Sequence, residues 1–255
     1  MPLQLIAGHT LEIERIAGSG PTVVFLHEGL GCVSRWRDFP ASVAAATGCA
    51  ALVYSRRGYG KSEPVPIPRP VTFMHDEALR VLPALLDTVP GDVVLAGHSD
   101  GASIALIHAG AIGRRVRGVA AIAPHVFVEE MGVRSIARIR ADYDDPLTEV
   151  RDKLAKHHAD VDNAFLGWAT VWLDPAFRAW NIEEFLPGVK APVMVIQGED
   201  DEYGTLAQVD AVCAGVPGGA ERVILPECGH VPQRDQPEAT LAALVRFVRS
   251  CAASH

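Results

Sequence analysis

Val93-Val94-Leu95-Ala96-Gly97-His98-Ser99-Asp100-Gly101-Ala102-Ser103-Ile104-Ala105-Leu106-Ile107 is the stretch on which the reading of this chain turns. It opens as a short, β-branched apolar run suited to a buried strand and closes as an apolar segment of good helix formers. Between the two sits Gly-x-Ser-x-Gly. At a sharp strand-to-helix turn of this kind the central serine is held in strained backbone geometry, with its hydroxyl pushed out above the sheet. Glycines two positions either side leave room where the chain folds back on itself. Ser99 is therefore a candidate nucleophile. The helix behind it supplies a partial positive charge and free N–H groups, so the amide of Asp100 is a candidate oxyanion donor.

Outward from this stretch, apolar strand-like runs alternate with segments of helical periodicity. That pattern predicts an α/β fold, a mostly parallel sheet with helices on both faces. Eight strands are expected near Leu3 to Ile6, Leu11 to Ile16, Thr22 to Leu26, Ala50 to Ser55, Val93 to Ala96, Val119 to Ile122, Val193 to Gln197 and Arg222 to Leu225. The first two read as an antiparallel hairpin turning over Gly8-His9-Thr10. Helices are expected over Ala41 to Thr47, Met74 to Thr88, Gly101 to Gly113, Leu206 to Ala214 and Pro237 to Ser250, where apolar residues recur at three- and four-residue spacing.

The rhythm breaks once, over residues 125–190, which hold no convincing strand. They read as a helical subdomain inserted into a core made of residues 1–124 and 191–255. Val133 to Tyr143 and Glu149 to His158 are helical and highly charged. Trp168, Trp172, Trp180, Phe127, Phe165, Phe177 and Phe185, drawn from the chain's 4 Trp and 8 Phe, lie in the same interval. The charges suggest a wet outer face and the aromatics an inner one. Such aromatics serve as packing or face a substrate, which makes Trp168 and Trp172 pocket candidates.

Composition narrows the function classes. With 255 residues, 49% of them hydrophobic, the chain can bury a large core unaided. Its 23 Lys and Arg against 31 Asp and Glu leave a net charge of −8, and no basic cluster interleaved with aromatics stands out, so a nucleic-acid partner is not expected. The apolar runs fall far short of the ~20 residues a membrane span needs. Met1 to Gly20 lacks a basic start followed by an apolar stretch, and a cytoplasmic protein is expected. The 5 cysteines are scattered and never spaced as C-x-x-C, a pattern of reduced thiols rather than of a disulfide framework or zinc knuckle.

A serine hydroxyl is a poor nucleophile at neutral pH, so a base and an orienting acid should follow. The predicted strand ending at Gln197 leads into Gly198-Glu199-Asp200-Asp201-Glu202, and the one ending at Leu225 leads into Pro226-Glu227-Cys228-Gly229-His230. Serine, acid and histidine thus occur in the chain order of one known fold.

In these features the sequence resembles the α/β-hydrolase superfamily from about residue 3 to 250, in its lid-bearing, serine-nucleophile branch of carboxylesterases and carbon–carbon bond hydrolases. His27-Glu28-Gly29-Leu30-Gly31 resembles the family's H-G-x-x-G oxyanion segment, and Arg57-Gly58-Tyr59-Gly60-Lys61-Ser62 its R-G-x-G-x-S loop. Gly198-Glu199-Asp200-Asp201 resembles its G-x-x-D acid turn and Gly229-His230 its histidine. The resemblance implies that Ser99 attacks, His230 is the base, Asp201 orients it, and the amides of Gly29 and Asp100 hold the oxyanion. It also makes the insertion after the sixth strand a lid. Two features depart from the pattern. Glu28 stands where the family has glycine, which puts a carboxylate near the oxyanion hole or turned away from it. In the crowded acid turn the spacing favours Asp201, with Asp200 as the alternative.

Other motifs carry less. Ser55 to Ser62 ends like a phosphate-binding loop but starts with serine and runs into Pro64, Pro66, Pro68 and Pro70 instead of a helix. His27-Glu28 lacks the second histidine of a zinc-protease motif, and no metal or cofactor is expected. His157-His158 lies in a charged helix and reads as a solvated face. His125, at the end of the sixth strand, is a structural histidine or a substrate contact.

The expected reaction is hydrolysis of a small to medium carboxylic ester, with an apparent pKa near the ~6.5 of free histidine. The resemblance leaves carbon–carbon bond, thioester and lactone cleavage open, since the same triad serves them. A ligand-binding receptor on the same fold is the non-enzymatic alternative.

Overall fold

The computed structural model describes residues 2–253. Leu3–Ile6 (β1), His9–Ile16 (β2), Ser19–Leu26 (β3), Cys49–Tyr54 (β4), Val93–His98 (β5), Val116–Ile122 (β6), Val193–Gly198 (β7) and Ala220–Leu225 (β8) form one eight-stranded sheet. Its order is β1-β2-β4-β3-β5-β6-β7-β8. The β1–β2 and β2–β4 pairings are antiparallel and all others parallel.

Among the described residues the helices are Phe39–Thr47 (α1), Phe73–Asp76 (α2), Leu82–Leu86 (α3), Asp100–Ala111 (α4), Glu130–Asp144 (α5), Val150–Ala155 (α6), Val161–Leu173 (α7), Leu206–Gly215 (α8), Pro232–Asp235 (α9) and Pro237–Ala253 (α10). The central strands are apolar on both sides because both sides are covered. Val24, Leu95, Val119 and Val195 join one core with α3, α4 and α8, whereas Val23, Val94, Ala120 and Met194 join the other with α1 and α10. Neighbouring residues on a strand point to opposite faces, so each strand feeds both cores. Helix α4 is buried from Asp100 to Ala109, which matches its largely apolar sequence, with Asp100, Ser103 and His108 the polar residues among them.

Four expectations change. The first hairpin turns over Ala7 and Gly8, not Gly8 to Thr10, because Ile6 already pairs with His9. Both turn residues have positive φ, 50° and 81°, as the tightest two-residue hairpins require. The helix expected over Met74 to Thr88 is interrupted by a π-helical stretch, Glu77–Val81, between α2 and α3. Pro83 has no N–H with which to continue an α-helical ladder, and the wider stretch before it absorbs the mismatch.

The connection from β6 to β7 holds α5, α6 and a further helix, α7, beyond the two segments singled out as helical, and one isolated antiparallel bridge, Phe127 to Asn181. Asp160 caps α7 by accepting from the Asn163 N–H at 2.9 Å. On α7, Phe165, Trp168 and Trp172 are buried. His158 is not solvated: it is buried, its Nδ1 accepting from the Gly60 N–H at 3.0 Å and its Nε2 donating to the Leu30 carbonyl at 3.1 Å. Burial pushes its pKa down to about 4, as a neutral ring with one donor and one acceptor requires.

Candidate active site

Strand β5 ends at His98, α4 begins at Asp100, and Ser99 between them has φ 53° and ψ −120°. A non-glycine residue is rarely held there, and the surroundings hold it. The Ser99 N–H donates to the Ile122 carbonyl of β6 at 2.8 Å, while its carbonyl accepts from the Ala102 and Ser103 amides at 2.8 and 3.1 Å. A Cβ on Gly97 would run into the Gly101 backbone, and one on Gly101 into the Leu26 carbonyl. The two glycines flanking the serine are thus needed for close backbone approach.

The loops after β7 and β8 bring the other two side chains to this turn. His230 Nε2 is 2.9 Å from Ser99 Oγ, and His230 Nδ1 is 2.9 Å from both carboxylate oxygens of Asp201. Asp201 is itself pinned. Its Oδ1 accepts from the Tyr203 amide at 2.8 Å and the Gly204 amide at 3.2 Å, and its Oδ2 from Gln197 Nε2 at 2.7 Å. Asp200 is exposed, and its backbone N–H donates to the Cys228 carbonyl at 2.9 Å. Burial works against charge on both partners, yet the pairing outweighs it: His230 is held above the usual histidine range and Asp201 below the usual carboxylate range.

The amides of Gly29 and Asp100 make no hydrogen bond within the described residues and remain free to donate to a third party. Trp168 packs directly over Gly29, where any Cβ would strike its indole nitrogen. Trp172 Nε1 donates to Asp100 Oδ1 at 3.2 Å. His125 lies between Trp172 and the base, with ring centroids 5.2 Å from Trp172 and 5.5 Å from His230. Burial and the neighbouring His230 push the His125 pKa down to about 3, so this ring is neutral. Trp168, Trp172 and His125 therefore gather around the serine, which is 6% exposed, and the histidine, which is 7% exposed.

Glu28 is engaged elsewhere. Its carboxylate lies 3.5 Å from Arg35 Nε and 3.6 Å from His98 Nδ1, and it lines an adjoining cleft of about 530 Å³ with Arg35, Trp36 and Gln233. Burial opposes its charge, but the His98 ring and Arg35 hold it well below the usual range. Glu28 thus lines a cleft, as a pocket candidate would, while its carboxylate is held by Arg35 and His98.

Three neighbours of the base were not anticipated. His98 Nε2 donates to the His230 carbonyl at 2.7 Å, Glu202 Oε2 accepts from the His230 amide at 3.1 Å, and the Tyr203 ring lies 4.7 Å from the imidazole. His98 and Tyr203 stand one and two positions from Ser99 and Asp201, which is the only signal the sequence held for them. As an assembly, these groups can take a proton from a hydroxyl, deliver the oxygen to an electrophilic carbon, and offer two amides to the resulting charge.

A profile of the alpha/beta hydrolase family matches residues 23–244. No curated protein sequence matches the chain. Several solved structures share the fold at low identity. The enol-lactonase from Burkholderia xenovorans LB400 is 20% identical with a TM-score of 0.77, over 97% of this chain and 99% of that one. A thermophilic esterase from Thermogutta terrifontis is 19% identical with a TM-score of 0.76, over 99% and 100%. The meta-cleavage product hydrolase from Pseudomonas fluorescens IP01 is 17% identical with a TM-score of 0.73, over 98% of each chain.

Proposed function

The chain belongs to the alpha/beta hydrolase family, and on that footing we propose that it is a serine hydrolase cleaving small to medium carboxylic esters through an acyl-enzyme. The observation that carries this reading is the continuous path from Asp201 through His230 to Ser99, with each contact at 2.9 Å.

As Ser99 Oγ attacks the ester carbon, its proton passes to His230 Nε2, and the carbonyl electron pair moves onto oxygen between the Gly29 and Asp100 amides. Asp201 keeps the Nδ1–H tautomer in place and stabilises the imidazolium. Collapse of the tetrahedral species expels the alcohol, which takes the proton from Nε2. Water then enters, gives its proton to His230, and releases the acid from Ser99 in the same way. The scheme asks for no cofactor.

Residues 125–190 act in this reading as a lid, with the indoles of Trp168 and Trp172 offering an apolar wall to the acyl or alcohol group. The enol-lactonase and meta-cleavage product hydrolase among the similar structures make lactones and vinylogous diketone acids worth including in a substrate screen.

The test is turnover of p-nitrophenyl acetate and butyrate beside a thioester, a lactone and a vinylogous diketone acid, with the Ser99→Ala protein as control. Multiple turnovers lost in Ser99→Ala are expected. Ester turnover that persists in Ser99→Ala, or labelling of Ser99 by a fluorophosphonate with no turnover of any substrate, would overturn it.

A further inference from the structure

Arg56 follows β4, is 2% exposed, and is not among the motif residues that drew attention to the site. A buried guanidinium is costly unless its donors are used, so what it holds is informative. Its Nη1 donates to the carbonyl of His27 and its Nη2 to the carbonyl of Glu28 at 3.1 Å. The same Nη2 lies 3.7 Å from Asp100 Oδ2. Its backbone N–H donates to His27 Nε2 at 3.0 Å, and the opposite nitrogen of that ring, Nδ1, donates to the Glu28 carbonyl at 2.7 Å. One side chain therefore touches both segments that carry the candidate oxyanion donors.

The geometry of the peptide bond makes this contact specific. The Glu28 carbonyl and the Gly29 N–H belong to one planar, trans unit and point in opposite directions. Donors from Arg56, His27 and Gly31 converge on that carbonyl. Fixing the oxygen on one edge of the plane fixes where the N–H on the other edge aims. On the second donor's side, a carboxylate one peptide unit from the Asp100 amide would oppose a developing oxyanion. Asp100 Oδ2 has no hydrogen-bond partner within the described residues, and the guanidinium is the charge that offsets it.

We propose that Arg56 is the positioning residue of the oxyanion hole, aiming the Gly29 amide through the Glu28 carbonyl and balancing the Asp100 carboxylate beside the second donor. The proposal rests on the serine-hydrolase reading and adds to it a residue that never touches substrate. A displacement of about 1 Å in such a donor costs on the order of 10²-fold in rate.

The experiment compares the unaltered protein with Arg56→Met and Arg56→Lys, reading kcat and KM for p-nitrophenyl butyrate and the inhibition constant of a trifluoromethyl ketone, which forms an oxyanion on the serine. Thermal unfolding reports whether each variant is folded. Arg56→Met should lose about 10²-fold in kcat, the size of losing one donor, with KM within about threefold. Arg56→Lys keeps the buried charge, and hence the fold, but one ammonium cannot span two carbonyls and a carboxylate. It should lose about tenfold in kcat, again with KM held, and ketone affinity should fall in step with kcat/KM. A folded Arg56→Lys with unchanged kcat, or a loss confined to KM, overturns the assignment even if Arg56→Met does not fold. An unaltered protein that neither turns over ester nor binds the ketone overturns the hydrolase reading and the assignment together.

Discussion

His230 Nε2 and Ser99 Oγ lie 2.9 Å apart although 131 positions separate them along the chain. Neither residue can reach the other without the sheet: β5 delivers the serine at its carboxyl end, and the loop after β8 delivers the histidine at the same edge. Ligand sites in open α/β sheets form at that edge because the loops there are free of the sheet's own pairing.

The pH profile follows from the state of that ring. His230 must be neutral to accept the serine proton, and Asp201 at Nδ1 stabilises the charged form, so the pKa lies above the ordinary value. Raising the pKa delays the neutral form, and activity should rise with pH through a midpoint above ~6.5 rather than near it. Measuring kcat/KM between pH 5 and 9 checks this, and a flat profile across that range contradicts it.

The two adjacent aspartates should behave differently. Asp201→Asn leaves a side chain of the same size but favours the wrong tautomer of His230, and by comparison with other triads should lower kcat about 10⁴-fold. Asp200→Asn alters an exposed group and should stay within about twofold of the unaltered protein. Steady-state kinetics on the pair decide it; a larger loss from Asp200→Asn would reverse the assignment.

Gly29 carries no side chain because Trp168 occupies the space. Gly29→Ala should push the indole or the oxyanion loop aside and lower kcat by about 10- to 100-fold, the scale of a misplaced donor. Shortening the obstructing residue should relieve the clash, so that Trp168→Ala raises the activity of the Gly29→Ala protein. Additive losses in the double variant would show that the two sites do not meet.

Trp172 joins the helical insertion to the serine-bearing turn through Asp100 Oδ1. Trp172→Phe keeps most of the apolar bulk but leaves a buried acceptor without its donor, which should cost about 1–3 kcal/mol. Urea unfolding should show a lower midpoint at an unchanged slope. An unchanged midpoint would mean that solvent satisfies Asp100 once the indole is gone.

What could be read beforehand depended on how local its cause was. The turn at Ser99 was legible because a strand, two glycines and a helix act within fifteen residues, and the inner strands because each holds an apolar run; β1 and β2 instead alternate apolar with polar residues. Asp201 is favoured over Asp200 because it matches the G-x-x-D acid turn of the family the sequence resembles. Arg56, His98 and His158 were not legible in their roles. Each is defined by partners far away in sequence, such as the Glu28 and His230 carbonyls and the Gly60 amide. Nothing beside a buried histidine in a charged segment announces the amide it will meet. The aromatics of α7 mark an inner face but not the ends of the helix, which the Asp160 cap sets at its start, and the break at Pro83 is hidden because one missing donor leaves the apolar spacing intact.

The near-complete burial of Ser99 and His230, with Trp168 over Gly29 and Trp172 bonded to Asp100, has a kinetic corollary. With Ser99 6% and His230 7% exposed, an ester should reach the hydroxyl only as neighbouring side chains move aside, and its products should leave the same way. For activated esters, whose bonds break readily, this passage should then set the ceiling on throughput, and added viscogen should slow fast substrates while sparing sluggish ones.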